Sequence, residues 1–252
     1  MAGSFAVFEE LGIKNTFDIS ASIFAPEYLQ FLDINVLNFQ IPDMTSAKPN
    51  DWNKENKIKE NRFKEILKKH EIRNNETKKL FKNNSKDYFN KLFELRGIKK
   101  EKIPEIKNLF KNIKYHFLNQ NIFGNFKEFP TNNKLIYIGG IIVENRGILL
   151  NKIKNEKKQQ NCVVFVSFGT VNLTKGMVED NVEGMLNLFK KFDQCIFKVR
   201  IEGKYLKYSK KNLKLLTNML NNNIYYLAKE NTKLFISHCG QNSINEVIFN
   251  LI

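Results

Sequence analysis

From Cys162 onward, apolar runs of strand length alternate with stretches whose apolar residues recur at helical spacing. The strand-sized runs are Cys162–Phe168, Cys195–Ile201, Asn223–Ala228 (NIYYLA) and Leu234–Ser237. Between the first two, Lys175–Phe192 places Val178, Val182, Met185, Leu186 and Phe189 on one helical face. A shorter helix is marked by Leu213, Leu216, Met219 and Leu220. Strands alternating with amphipathic helices predict an α/β fold with a parallel, doubly wound sheet. Such sheets take ligands at the carboxyl ends of their strands. Gly169–Thr170 and His238–Gly240 fall at those ends.

The stretch TKLFISHCGQNSINEVIFNLI, Thr232 to Ile252, carries the clearest site. A short apolar strand runs into the polar break His238, Cys239, Gly240. Asn242 and Ser243 are good helix N-cap residues, and Ile244, Val247, Ile248 and Leu251 then line one face of a helix. Ser243 and Glu246 also make the S-x-x-E pattern of a capping box, which needs no function. Strand, glycine turn and helix start together present backbone N–H groups and the positive end of the helix dipole to an anion. With His238 as a further donor, the stretch reads as a phosphate site.

The same residues carry a family resemblance. LFISHCGQNSINE resembles the signature of family-1 UDP-glycosyltransferases, and Gln241 leans towards the animal UDP-glucuronosyltransferases. VVFVSFGT (Val163–Thr170) resembles the first strand and turn of their nucleotide-sugar domain, and LIYIGGI (Leu135–Ile141) the segment closing their acceptor domain. The resemblance implies a GT-B arrangement of two Rossmann-like domains with parallel sheets, both incomplete here. Residues 1–144 would be the C-terminal part of the acceptor domain with a Lys-rich helical insert at about 54–114, 145–161 the linker, and 162–252 the first half of the UDP-sugar domain. It implies transfer of glucuronate or glucose from a UDP-sugar co-substrate to a small lipophilic acceptor, without metal or other cofactor. Thr170, His238, Gly240, Asn242 and Ser243 would meet the phosphates and Glu246 the ribose hydroxyls.

Against the family pattern, the chain begins after the region of the general-base histidine and its aspartate partner, so no catalytic residue is assigned. The W-x-P-Q segment is missing, with NIYYLAKENTKLF about nine residues shorter than the pattern. Trp52 is the only tryptophan, leaving Tyr225 or Tyr226 to offer a ring to the base. The chain stops inside the last motif helix, before the acidic–amide pair that reads the sugar and before a C-terminal membrane helix. These departures predict an internal fragment, inactive alone, and the resemblance implies that the full-length protein resides in the endoplasmic reticulum membrane. The alternative is a non-catalytic protein keeping a degenerate nucleotide pocket.

Charge opens a weaker alternative, a basic nucleic-acid-binding protein. The chain carries +15, and +11 of it lies between Lys54 and Lys114, where 20 Lys and Arg face 9 Asp and Glu. Only five of the 41 basic residues are arginine, and no aromatic–basic interleaving of a nucleic-acid module is present. With 35 asparagines as well, the lysines read as decoration of solvated faces and no nucleic-acid partner is expected. In that region Phe63, Ile66 and Leu67, then Phe89, Leu92 and Phe93, mark short helical stripes, with NNET (Asn74–Thr77) and NNS (Asn83–Ser85) expected to interrupt them. Asn38–Trp52, with Pro42 and Pro49, reads as a loop, Pro104 as the start of a helix to about Asn112, and Tyr115 and Phe117 as a strand. His70 reads as a solvated helix residue and His116 as a strand residue, neither in a catalytic setting. No apolar run reaches the ~18 residues of a membrane helix, and MAGSFAVFEELG lacks the basic start of a signal peptide. Cys162, Cys195 and Cys239 are odd in number and none forms CxxC, which predicts buried free thiols with neither disulfide nor metal site.

Overall fold

The computed structural model describes residues 2–53, 57–97, 104–146, 162–169, 177–217 and 223–251. Thr170, most of the expected linker at 145–161, and Met219 and Leu220 lie outside the described residues. The chain divides into two compact units, one of Met1–Leu118 with Asn125–Tyr137, the other of Asn119–Gly124 with Ile138–Ile252. Both are mixed α/β with parallel sheets. The second unit thus takes in residues from Ile138, ahead of the expected linker. Val143 of helix α4 (Ile141–Arg146) packs there with Phe165, Leu227 and Ala228.

In the first unit, strands β1 (Thr16–Ser20), β2 (Ile113–Leu118) and β3 (Leu135–Tyr137) form a parallel sheet in that order. Helix α1 (Ala2–Glu10) supplies Phe5 and Ala6 to the core, and α3 (Ile106–Lys111) supplies Leu109 and Phe110. Phe31, from a 3₁₀ segment at Pro26–Leu32, stands 5.1 Å from Phe110 and 5.4 Å from Phe81 between ring centroids. Helix α2 runs unbroken over 37 residues, Glu60–Arg96, so NNET and NNS do not interrupt it. Each asparagine costs under about 0.7 kcal/mol in a helix, and no Pro or Gly lies between 60 and 96 to break it. The helix ends where Gly97 adopts φ 64° and gives its N–H to Phe93 and Glu94 carbonyls.

Its buried residues Ile66, His70, Phe81, Ser85 and Phe89 form one stripe. His70 is therefore not solvated: it is 1% exposed, with Nε2 3.1 Å from the Ile41 carbonyl. The loop before α2 is held by two of the helix's arginines. Arg62 donates from Nε and Nη2 to the two Asp51 carboxylate oxygens at 2.9 and 2.8 Å. Arg73 lies 2.8 Å from Asp43, which also accepts from the Thr45 and Ser46 backbone N–H groups. Burial pushes the Asp43 carboxyl up, but these hydrogen bonds and Arg73 outweigh it and hold the group below its usual range. Lysine, with a point-like ammonium, does not offer this forked contact.

In the second unit, β4 (Cys162–Ser167), β5 (Cys195–Arg200), β6 (Leu213–Leu216) and β7 (Thr232–Ser237) lie in the order β6-β5-β4-β7, all parallel. Two assignments made on periodicity are exchanged. Leu213–Leu216 is a strand, with Leu213 in register with Phe197, and Asn223–Leu227 is a helix, α6. Short apolar runs fit either state by periodicity, and tertiary packing decides. As a strand, LKLL completes the sheet edge; as a helix, NIYYL brings Tyr226 and Leu227 onto Phe165.

Helix α5 (Glu179–Phe189) covers one face through Val182, Leu186 and Phe189, packed on Val164, Val166, Phe197 and Val199. Met185 flanks that cluster, while Val178 is exposed. The other face, with Phe165 and Phe235, is covered by α6 and α4. The cysteine expectation fails. Cys162 and Cys195 open adjacent strands in direct register, their Cα atoms 4.6 Å apart, and form a disulfide. Cys239 is free and exposed. Strand register, invisible in cysteine spacing, makes the pair.

Reduction of this disulfide should lower stability by about 3–4 kcal/mol, the loop entropy of a crosslink between residues 33 apart. Melts with and without reductant, beside thiol titration rising from one to three groups, check it. Acid should expose the Arg62 clamp. Its hydrogen bonds bring the Asp51 pKa down to about 2, so the contribution is complete above about pH 4, the ordinary carboxyl range, and lost as pH falls towards 2. The stability gap between wild type and Arg62→Met should stay constant from pH 7 to 5 and close below pH 4, as read by denaturant titration.

Candidate functional site

Strand order in the second unit reverses beside β4. The chain moves outward from β4 to β5 and β6, then returns to place β7 on the other side of β4. The crevice at the carboxyl ends of β4 and β7 is therefore the switch point where a doubly wound sheet takes its ligand. β4 ends there in Ser167, Phe168 and Gly169; β7 ends in Ser237, His238, Cys239 and Gly240.

The imidazole of His238 lies between two glycines. A Cβ placed on Gly169 would lie 3.0 Å from His238 Cε1, and one on Gly240 only 2.5 Å from Nε2. Gly169 has φ 98°, open to glycine alone at low cost. Cys239 takes the left-handed conformation, φ 57°, and gives its N–H to Ser237 Oγ at 3.1 Å. The turn thus carries the ring back over the start of the helix, and His238 remains exposed.

Helix α7 (Gln241–Leu251) begins two or three residues earlier than its expected cap residues, Asn242 or Ser243, predict. The Gly240 carbonyl accepts from Ile244 N–H at 3.0 Å, which makes Gly240 the N-cap. Ser243 is then the third helical residue, so the S-x-x-E pattern makes no capping box. Glycine is itself a favoured N-cap residue, so the first turn can start from Gly240. The N–H groups of Gln241, Asn242 and Ser243 are first-turn donors with no intrahelical acceptor. Ser243 is buried and Glu246 half-buried.

The side chain of Asn242 makes a contact within the protein. Its Oδ1 accepts from Asn119 Nδ2 at 2.7 Å. Asn119 Oδ1 accepts from Asn245 at 3.0 Å, and Asn245 Oδ1 accepts from Gln241 at 3.2 Å. This run of amides, with Asn245 3% exposed, fastens the first turn of α7 to the segment Asn119–Gly124. Its i, i+4 pair Gln241–Asn245 was visible in sequence; Asn119, more than a hundred residues away, was not. Of the tyrosines considered for base stacking, Tyr226 is occupied, 5.0 Å from Phe165 and under Lys198 at 4.6 Å. Tyr225 is the exposed ring, with Lys229 Nζ 4.3 Å from its centroid.

A second histidine arrangement lies in the first unit. His116 Nδ1 is 3.0 Å from Asp18 Oδ2, its register partner across β1–β2. The ring stacks on Phe110 at 4.9 Å and meets Phe24 edge-on. The His116 ring is wholly buried, while Asp18 is partly exposed at the surface. Among the described residues no group of His, Cys, Asp and Glu forms a metal site, and no helix is long and apolar enough to cross a membrane. No protein-family model and no curated protein sequence matches this chain.

The two glycines should respond differently to alanine. Gly169→Ala forces a side chain into the left-handed region and should cost about 1–3 kcal/mol of stability. Gly240→Ala meets only a movable ring but puts a poorer residue at the N-cap, so it should cost less, about 1 kcal/mol, while shifting the His238 imidazole resonances. Thermal melts and proton–carbon NMR of the ring check both.

Proposed function

We propose that the second unit holds the diphosphate of a UDP-sugar at the start of α7, as the donor half of a glycosyltransferase of the GT-B kind. The observation that carries this reading is the His238 imidazole, lodged between Gly169 and Gly240 ahead of three first-turn N–H donors. Histidine and helix start are suited to an anion without a metal ion. Glu246, two turns' reach from Gly240 on the same helix, supplies a carboxylate for ribose hydroxyls. The side chain of Asn242 serves the Asn119 contact, so its share of the phosphate passes through its backbone N–H. The exposed Tyr225 offers a face to the uracil. The reaction in this reading is transfer of glucuronate or glucose to a small lipophilic acceptor.

Binding without turnover is a second reading, favoured by one observation. In the His–Asp pair found among the described residues, His116–Asp18, the imidazole is wholly buried and out of reach of an acceptor hydroxyl.

Charge-assisted hydrogen bonds contribute roughly 1.5–3 kcal/mol each. His238→Ala should accordingly weaken UDP binding about tenfold or more with the melting temperature unchanged, by titration calorimetry. Glu246→Gln should weaken UDP but leave pyrophosphate binding as it was. Unaltered UDP affinity in folded His238→Ala protein would remove the phosphate assignment; UDP release from a UDP-sugar in the presence of phenols separates turnover from binding alone.

A further inference from the structure

Arg200 closes β5 and Ser167 closes β4, and the two are register partners. Ser167 is also in register with Ser237 of β7. Register partners in a parallel sheet project to one face, and alternation along β4 and β5 separates this row from Val166 and Val199, which pack under α5. Arg200 and Ser167 therefore share the face of Phe165. Arg200 is 5% exposed and Ser167 0%. Arg200 Nε and Nη2, and Ser167 Oγ, are all buried without a hydrogen-bond partner.

A buried charge without a partner is among the most costly arrangements a core can contain. Neighbouring charge makes this one more costly. Lys198, two residues earlier on the same face, is half-buried, and burial, with Lys229 and Lys214, lowers its pKa. Among the described residues, no carboxylate is paired with Arg200 or Lys198. Nε and Nη2 are also the two nitrogens with which Arg62 grips both oxygens of Asp51. On Arg200 the same edge of the guanidinium is buried and without a hydrogen-bond partner.

We propose that Arg200 and Ser167 form an oxyanion-binding site at the carboxyl ends of β5 and β4. The guanidinium edge takes two oxygens of a phosphate or carboxylate group, and the Ser167 hydroxyl donates to one of them. The site rests on different residues from the His238 cradle and stands whether or not a nucleotide binds there.

The test uses the full chain, with inorganic phosphate and acetate titrated against chloride at matched ionic strength. The preferred oxyanion should raise the melting temperature by roughly 3–6 °C at ten times its dissociation constant. Whichever of the two acts at lower concentration identifies the class. His238→Ala should keep a rise, whatever share of phosphate binds at the imidazole, and adding Arg200→Met should remove it; in chloride alone Arg200→Met should melt above wild type, because the unpaired charge is gone. Should Arg200→Met not fold, the wild-type Arg Nε–H resonances serve instead. There are only five arginines, and the Arg200 signal should move on titration, with Ser167→Ala weakening the effect severalfold. No rise above chloride, or an unmoved Arg200 signal, overturns the site. So does a response kept by Arg200→Met and lost in His238→Ala, which would place the anion at the imidazole alone and leave the nucleotide reading standing.

Discussion

The second unit depends on the pairing of β4 with a strand on each side. Parallel neighbours cannot be joined by a hairpin, so each connection crosses a face of the sheet, right-handed in nearly every case. Moving from β4 to β5 brings α5 over one face, and returning from β6 to β7 brings α6 over the other. β4 is buried on both sides, from Val163 to Ser167, as its uninterrupted VVFVS requires. The reversal leaves one place where successive loops part, and His238 stands there. The site's position thus follows from strand order, before any side chain is considered.

Within that crevice, space is as decisive as charge. The ring of His238 occupies the volume a side chain would need at Gly169 or Gly240. Gly240 in turn caps α7 with backbone alone, its carbonyl accepting from Ile244. The amides of Asn119, Asn242 and Asn245 then hold that start in place. A polar group usually judged by what it offers a ligand, Asn242, is here engaged in supporting the helix.

Much of this was legible in the sequence. The parallel α/β character, the strand at Cys162–Ser167, the helix through Val182, Leu186 and Phe189, and the strand–turn–helix around His238 follow from periodicity and turn residues. What was not legible depends on partners distant in sequence. LKLL and NIYYL exchange states because a sheet edge and Phe165 choose between them. The asparagines of α2 look like breaks, yet 37 residues without Pro or Gly continue through them. His70 looks solvated until Ile41 is brought beside it. Arg200 is an ordinary strand-end residue in sequence; only register and burial show its unpaired edge.

The Cys162–Cys195 bond lies at the opposite ends of β4 and β5 from Ser167 and Arg200, five residues or roughly 17 Å away. Side chains in a strand change face at every residue, so a slip of one position would carry the guanidinium to the side of Val182 and Leu186. The crosslink fixes the count of residues along both strands from a common origin. It acts as a dowel for the sheet: chemistry at the amino ends determines which face the arginine occupies, without coming near the crevice.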